Sequence, residues 1–191
     1  MIRYTSELIR KAVHFSSLAI PIGLYLVPVS VSQPALAYLT LFTLIVEVVR
    51  LHVPQFRAVF YLLFGRILRE HERFNLLGST YLFIAALLCI HSFEKGIAVV
   101  SLGFLVVGDT VAALVGRRWG RIRLLDKSLE GSLGCFFACL IVGWVYPGTD
   151  VTWPMIVVGA FTATLFEFLP IPMDDNLRMS LSAGFAMSLL T

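Results

Sequence analysis

Long apolar runs with few charges recur along this chain, and they restrict what it can fold into. No residue from Phe15 to Val46 carries a formal charge, and crossing the hydrocarbon region of a bilayer takes on the order of 20 helical residues. Apolar residues make up 58% of the chain and charged residues only 14%, which is outside the range of soluble domains. Because lipid requires backbone polar groups to be paired internally, the sequence predicts an all-α integral membrane protein.

Seven apolar segments are candidate membrane spans. Pro28 and Pro34 are expected to divide the first long run into two helices, because proline interrupts helical hydrogen bonding. Several segments are shorter than a span requires, so six spans is the alternative. The whole chain, residues 1–191, is expected to form a single multi-span domain. The predicted spans are residues 12–27, 35–49, 78–93, 97–115, 131–146, 154–169 and 180–190.

Residues 54–74 differ from these spans because charged residues flank a short apolar stretch. Arg57 lies on one side of it, and Glu70, Glu72 and Arg73 lie on the other. The uncharged part is too short to cross a bilayer. We therefore expect an amphipathic helix that lies in the membrane interface.

The basic residues predict an orientation. With seven spans, Lys95 alone falls on one side, and the other 14 of the 15 lysines and arginines fall on the side of the N-terminus. Cytoplasmic loops carry such an excess of basic residues, so the N-terminus is expected in the cytoplasm. The residues on that side are Arg3, Arg10, Lys11, Arg50, Arg57, Arg66, Arg69, Arg73, Arg117, Arg118, Arg121, Arg123, Lys127 and Arg178.

Three acids, Glu47, Asp109 and Glu167, fall within apolar segments. Ionisable groups in a span are costly and commonly mark function, and these three could converge near the cytoplasmic ends of their helices. The alternatives are that Glu47 pairs with Arg50 at a helix end and that Glu167 is interfacial. For Asp109, well inside its helix, a functional role is favoured.

The residues after Asp109 combine small side chains with a basic cluster. Gly108, Ala112, Gly116 and Gly120 recur at a spacing of four, so one stripe of the helix lets a neighbouring helix or a ligand approach closely. Arginine binds phosphate bidentately, and a carboxylate holds Mg²⁺ together with phosphate oxygens. A basic loop is also typical of topology signals and anionic lipid contacts. The basic residues are Arg117, Arg118, Arg121, Arg123 and Lys127, in a predicted nucleotide loop of residues 116–131.

The turn Asp126-Lys127-Ser128-Leu129-Glu130-Gly131 favours phosphate binding. Ser128 can cap the following helix, whose N-terminal N–H groups suit a phosphate, and Lys127 adds a cation. The chain contains no GxxxxGK[ST] loop and no protein-kinase glycine loop.

These residues resemble the CTP-dependent lipid kinases, a family that includes dolichol, phytol and farnesol kinases and the yeast-type diacylglycerol kinase. The shared pattern is GD-x-x-A-x-x-x-G-x-x-x-G followed by KS-x-EG-S, and three further motifs accompany it in order. The matching residues are Gly108, Asp109, Ala112, Gly116, Gly120, Lys127, Ser128, Glu130, Gly131 and Ser132; Glu7, Arg10, Lys11 and His14; Asn75, Gly78 and Thr80; and Glu167, Asp174, Asp175 and Asn176.

A related family, the CTP:phosphatidate cytidylyltransferases, shares the first half of that pattern. Those enzymes also carry a later HGG-x-x-DR-x-D signature, which is absent after Gly134 here. Transfer of the terminal phosphate is therefore favoured over nucleotidyl transfer, which remains the alternative. A non-catalytic membrane protein that binds anionic lipid is a second alternative.

The resemblance implies CTP and Mg²⁺ as donor and cofactor, and a membrane lipid alcohol, either a polyprenol, a phytol-like prenol or diacylglycerol, as acceptor. It implies catalytic roles for Asp109, Lys127, Glu167 and His14, with Asp109, Glu167 and Asp175 as the magnesium ligands. The residues implied in nucleotide binding are Lys11, Gly108, Gly116, Arg117, Gly120, Arg121, Lys127, Ser128, Glu130 and Gly131.

The expected location is the plasma or inner membrane of a prokaryotic cell, with several membrane passes and an active site that faces the cytoplasm. Nucleic acid is not an expected partner, because the net charge is only +3 and the basic residues belong to loops next to the membrane.

Overall fold

The computed structural model describes residues 4–65, 68, 70–125 and 127–191. Arg3, Arg66, Arg69 and Asp126, which belong to the predicted basic loops and the predicted turn, lie outside the described residues. The side chain of Glu7, part of the first motif, lies outside them as well.

The described residues form ten α-helices and one small β-ladder. A 3₁₀ turn covers His71–Arg73, and a π-helical turn, Phe104–Gly108, joins two helices into one. Strands β1 (Arg123–Leu124) and β2 (Lys127–Ser128) pair antiparallel. The helices are α1 (Tyr4–Ser16), α2 (Ala19–Leu26), α3 (Val29–His52), α4 (Pro54–Phe64), α5 (Gly78–Ser92), α6 (Lys95–Gly103), α7 (Asp109–Trp119), α8 (Leu129–Val145), α9 (Trp153–Phe168) and α10 (Asp175–Ser188).

The helical fold class is confirmed, and several helix ends lie within two residues of the predicted spans. Helices α5, α8 and α9 show this agreement. Two described helices are long and apolar enough to cross a membrane, namely α3 and the continuous helix from Lys95 to Trp119. The others are shorter, so the number of spans stays a prediction.

The predicted break between Pro28 and Pro34 is wrong at Pro34. Helix α3 begins at Val29, directly after Pro28, and Pro34 lies inside it. Pro28 fits outside the helix as its cap, and its carbonyl accepts the amides of Val31 and Ser32, at 3.0 Å each. Pro34 lies in the second turn, where its φ fits a helix but its ring removes the hydrogen bond to the Ser30 carbonyl; a helix in a membrane bundle can accommodate this.

The predicted first span, residues 12–27, is also divided. Helix α1 ends at Ser16 and α2 begins at Ala19. The His14 carbonyl closes the turn by accepting the backbone amide of Ser17 at 3.1 Å. Because the chain bends here, α1 turns back over α7, where it contributes charged residues to the site.

The Lys95–Trp119 helix occupies the middle of the bundle. Every residue of α6 from Gly96 to Gly103 is buried, and α2, α5 and α10 pack around it. Helix α8 packs against α7 on one side and α9 on the other. The π-helical turn of the Lys95–Trp119 helix ends at Gly108, directly before Asp109. Within this turn, the Phe104 carbonyl accepts a hydrogen bond from the Cys139 thiol at 3.7 Å. Cys89, Cys135 and Cys139 are buried free thiols.

The outer surfaces of the bundle are apolar. Large side chains such as Tyr38, Phe42, Phe137 and Phe161 are exposed, as expected for helix faces that contact lipid chains. Helix α4 has no buried residue, and it ends at Phe64, ten residues before the end of the predicted amphipathic segment.

A buried ion pair fastens the chain between α4 and α5 to α3. Arg50 pairs with Glu47 on the same helix and donates to the carbonyls of Glu72, at 2.8 Å, and Asn75, at 2.6 Å. The Glu47 carboxylate also accepts the amide of Leu77 and the hydroxyl of Thr80, both at 3.1 Å. Both charged side chains are almost fully excluded from solvent. Pairing with Arg50, one of the two sequence interpretations, is therefore what the structure shows for Glu47.

We expect Arg50→Ala to lower the free energy of unfolding by roughly 3–5 kcal/mol, because it leaves the Glu47 carboxylate buried without its cation. Thermal or SDS unfolding of the purified protein in detergent micelles measures this. His52→Ala, at an exposed position of the same helix, is the control and should change stability by about 0.5 kcal/mol or less. Equal free energies of unfolding for Arg50→Ala and His52→Ala would contradict the stabilising role of the Glu47–Arg50 pair.

Candidate active site

The first part of the site joins α1 to the start of α7. The Lys11 ammonium lies 2.5 Å from Asp109 Oδ2 and also donates to the Asp109 backbone carbonyl at 3.2 Å. His14 Nε2 lies 3.4 Å from the same carboxylate oxygen. Lys11 and Asp109 keep only 8% and 15% of their side-chain exposure. One acid within a membrane-capable helix is thus held by two basic side chains from α1.

The second part of the site joins β2, α9 and α10. The Lys127 ammonium lies 2.5 Å from Glu167 Oε1 and 3.9 Å from Asp175 Oδ2. The Ser132 hydroxyl donates to the other Glu167 oxygen at 3.4 Å. Glu167 is nearly buried, while Lys127 and Asp175 keep about a third of their exposure. Lys127 therefore bridges two of the predicted acids.

The two parts are neighbours. Asp109 begins α7, Ser132 on α8 donates to Glu167, and these two helices pack against each other. Gly108, directly before Asp109, packs against the thiols of Cys135 and Cys139 on α8. The structure thus brings together six predicted residues: Lys11, His14, Asp109, Lys127, Glu167 and Asp175.

Arg178 was not predicted to belong to the site, but it holds two of the site's acids in place. Its guanidinium pairs with Asp175 and donates to the backbone carbonyls of Glu167 at 3.3 Å and Leu169 at 2.6 Å. It is 6% exposed. The i,i+3 spacing of Asp175 and Arg178 is the only sequence signal for this arrangement. Ser132, named in the motif without a role, is the other residue missed.

Ser128 and Glu130 shape the loop before α8. Ser128 caps α8 as predicted, since its hydroxyl oxygen accepts the Gly131 amide at 3.1 Å. The Glu130 carboxylate accepts the backbone amides of Arg121 and Ile122 at 3.0 and 3.1 Å. Glu130 therefore ties the loop to the start of α8.

The predicted glycines form the contact between α7 and the start of α8. A Cβ on Gly116 would lie 2.8 Å from the Ser128 hydroxyl, and one on Gly131 would lie 2.8 Å from the Ala112 carbonyl. A Cβ on Gly120 would also meet Ser128. Of the two sequence interpretations, a packing seam and close ligand approach, these contacts favour the seam.

Arg117 and Arg121, predicted as nucleotide clamps, are exposed. Arg117 lies with Arg118 in the last turn of α7, and Arg121 lies with Arg123 after it. Glu47 contacts Arg50, Leu77 and Thr80, in the network on α3. That network reaches the site through Asn176, whose side-chain amide donates to the Gly78 carbonyl at 3.2 Å.

Within residues 4–65, 68, 70–125 and 127–191, no three His, Cys, Asp or Glu side chains converge as a metal cage. Mg²⁺ is usually bound by one or two carboxylates together with substrate phosphates and water. The nearly buried carboxylates of Asp109 and Glu167 are donors of that kind, so the residues fit this type of magnesium site.

Known proteins resemble the chain over most of its length. The CTP-dependent diacylglycerol kinase 1 of Eremothecium gossypii is 31% identical to it over an alignment 209 positions long, which covers 95% of this chain and 66% of that protein. The chain belongs to the CTP-dependent lipid kinase family.

Two further lipid kinases support this membership. The CTP-dependent diacylglycerol kinase 1 of Schizosaccharomyces pombe is 29% identical, over 69% of this chain and 68% of its own length. The probable chloroplastic phytol kinase 1 of Glycine max is 31% identical, over 61% of this chain and 45% of its own length. The chain thus spans about two thirds of these fungal lipid kinases and less than half of the plant one. No protein-family model and no solved structure matches it.

We expect Gly131→Ala to destabilise the protein by about 1–3 kcal/mol, because the new methyl group would force α7 and α8 apart. Gly23→Ala is the matched control, since a Cβ there meets no atom within 4 Å. That change should leave stability unchanged or raise it by roughly 0.5–1 kcal/mol, because alanine favours helix. Thermal unfolding in detergent compares the two, and equal melting temperatures would show that the seam is not tightly packed.

Proposed function

We propose that the chain transfers the terminal phosphate of CTP to the hydroxyl group of a membrane lipid alcohol at the cytoplasmic face. The observation that carries this proposal is the pair of lysine–carboxylate contacts, Lys11 with Asp109 and Lys127 with Glu167. The choice of CTP as the phosphate donor rests on family membership and on the names of the relatives, which are CTP-dependent kinases.

The two contacts suit a magnesium–triphosphate substrate because each contains an ammonium group that can bind phosphate and a carboxylate that can bind Mg²⁺. Ammonium groups bind phosphate oxygens as point charges, and carboxylates bind Mg²⁺. When the substrate binds, each lysine exchanges its carboxylate partner for a phosphate group, and each carboxylate exchanges its lysine for the metal ion. No buried charge is left without a partner, which matters where solvent is scarce.

The triphosphate is proposed to lie at the start of α8. Helix N-termini present free backbone N–H groups and a positive dipole end, and both favour phosphate. Ser128 caps this helix and Lys127 precedes it, while Lys11 contacts Asp109 on α7, which packs against α8. Arg117, in the last turn of α7, and Arg121, on the loop that follows, are the proposed outer clamps.

Asp109 and Glu167, with Asp175 as a further ligand, are proposed to hold Mg²⁺, which would neutralise charge on the phosphates. The hydroxyl oxygen of the acceptor attacks the terminal phosphorus, an O–P bond forms, and the bond to the bridging oxygen of CDP breaks. The hydroxyl proton passes to His14 Nε2, which lies 3.4 Å from Asp109 Oδ2, so the carboxylate stabilises the imidazolium that forms. Positioning and charge neutralisation supply most of the rate in this class of reaction.

The acceptor is proposed to be a polyprenol, a phytol-like prenol or diacylglycerol, dissolved in the same membrane. Relatives are named as diacylglycerol and phytol kinases, and the apolar outer faces of the helices give such lipids access. Seven spans with a cytoplasmic N-terminus would place the site on the cytoplasmic side of a plasma membrane, where the nucleotide is available.

Lipid labelling by the purified protein in mixed micelles with Mg²⁺ tests the reaction. The donors are γ-labelled CTP, α-labelled CTP and γ-labelled ATP, and the acceptors are prenols, diacylglycerol and phosphatidate. Label from γ-CTP in an alcohol is the expected result, and it identifies the acceptor class. Label from α-CTP in phosphatidate would make the protein a cytidylyltransferase, and no label with any pair would favour a non-catalytic, lipid-binding protein.

We expect Asp109→Asn to lower CTP-dependent turnover at least about a hundredfold, because charge stabilisation at the reacting phosphate is lost. Lys127→Ala should mainly raise the KM for CTP, since it removes a phosphate contact that is made before the chemical step. Steady-state kinetics in micelles measures both.

Asp150→Asn is the matched control, because Asp150 is an exposed acid that accepts a hydrogen bond from Tyr146, outside the site. Its kinetics should equal those of the wild type. Unchanged turnover in Asp109→Asn, or unchanged KM and kcat for CTP in Lys127→Ala, would remove these residues from the mechanism.

A further inference from the structure

The end of α7 and the loop between α7 and α8 expose large apolar side chains among arginines. Trp119 is 61% exposed, and Ile122, Leu124 and Leu125 are each at least half exposed. Arg118 and Arg123 are exposed beside them. We call these six residues the hairpin face. Apolar groups of this size are rarely clustered on a surface that meets only water.

The helix before the loop fixes where this face lies. The continuous helix from Lys95 to Trp119 has 25 residues, which is about 37 Å at 1.5 Å per residue. The hydrocarbon core of a bilayer is about 30 Å thick, so the helix ends reach the two headgroup layers. Trp119 is the last residue of this helix, and tryptophan is enriched at that depth.

The loop is fastened on its inner side, which leaves the hairpin face directed outward. Glu130 accepts the amides of Arg121 and Ile122, and β1 pairs with β2, Leu124 opposite Lys127. Lys127 and Ser128 on β2 are half-buried and buried, whereas Arg123 and Leu124 on β1 are exposed. One strand of the ladder therefore belongs to the candidate site and the other to the surface.

We propose that the hairpin face binds anionic phospholipid of the membrane in which the protein lies. Its apolar side chains insert between acyl chains while Arg118 and Arg123 contact headgroup phosphates, an arrangement that charge complementarity favours over neutral lipid. This lipid is neither donor nor acceptor in the proposed reaction. The bound lipid keeps β1 at the membrane surface. Because β1 pairs with β2, the lipid also fixes the positions of Lys127 and Ser128.

The test uses tryptophan fluorescence and needs no enzymatic activity. The chain has three tryptophans, so W144F/W153F leaves Trp119 as the single reporter. This protein is reconstituted in nanodiscs of phosphatidylcholine that contain a minor share of brominated phosphatidylglycerol or, at the same fraction, brominated phosphatidylcholine. Bromine on the acyl chains quenches tryptophan on contact. We expect clearly stronger quenching by the brominated phosphatidylglycerol.

Two comparisons make the test specific. Adding R118Q/R123Q to the reporter protein should reduce the preference for anionic lipid about fivefold per arginine removed. W119F/W153F leaves only Trp144, which is exposed at the other end of α8, and its quenching should not depend on the headgroup.

Equal quenching of Trp119 by both lipids would overturn anionic selectivity. An absence of quenching would overturn membrane contact, and a CTP-induced change in Trp119 emission in that case would make the loop a cover of the nucleotide site instead. A preference for phosphatidylglycerol that survives R118Q/R123Q would contradict the role of the two arginines. None of these outcomes depends on whether the protein transfers phosphate.

Discussion

Two lysine–carboxylate contacts join the helices at the polar end of the bundle. Lys11 fixes α1 on the start of α7, and Lys127 fixes the loop before α8 on α9 and α10. In surroundings of low polarity, removing one member of such a pair leaves the other charge uncompensated. The atoms that assemble the polar end of the bundle are therefore the same atoms that the proposed reaction uses, and substitutions there will affect folding and chemistry together.

Close packing of glycines determines how near those charges come to each other. Gly116 and Gly131 let α7 and α8 approach until side chain and backbone touch. Asp109 begins α7, and Lys127 lies on β2, just before α8. Without a hydrophobic driving force between helices in lipid, such close contact is a main source of association energy. A stripe of small residues thus contributes to the site by fixing a distance, with no need to touch a substrate.

Helix positions were predictable from sequence because the length of an apolar run limits where a helix can lie. Pro34 was the exception, because hydropathy does not show where a helix of a membrane bundle accommodates a proline. Asp109, Lys127 and Glu167 could be named from the cost of burying charge and from the family pattern. Which of the predicted residues contact each other could not be named, because Lys11 and Asp109 are 98 positions apart and only the packed bundle brings them together. Arg178 looked like an ordinary topology charge, although its contacts lie inside the site.

The π-helical turn at Phe104–Gly108 makes this stretch tolerant of one particular change in length. A π turn contains one more residue than an α turn, so losing one apolar residue here would leave a regular helix whose following side chains keep their directions relative to α6. The same loss in a regular part of the helix would rotate every following side chain by about 100°, and the Asp109 carboxylate would leave Lys11. Natural variants should therefore lose a residue at the π turn far more readily than elsewhere in the helix before Asp109.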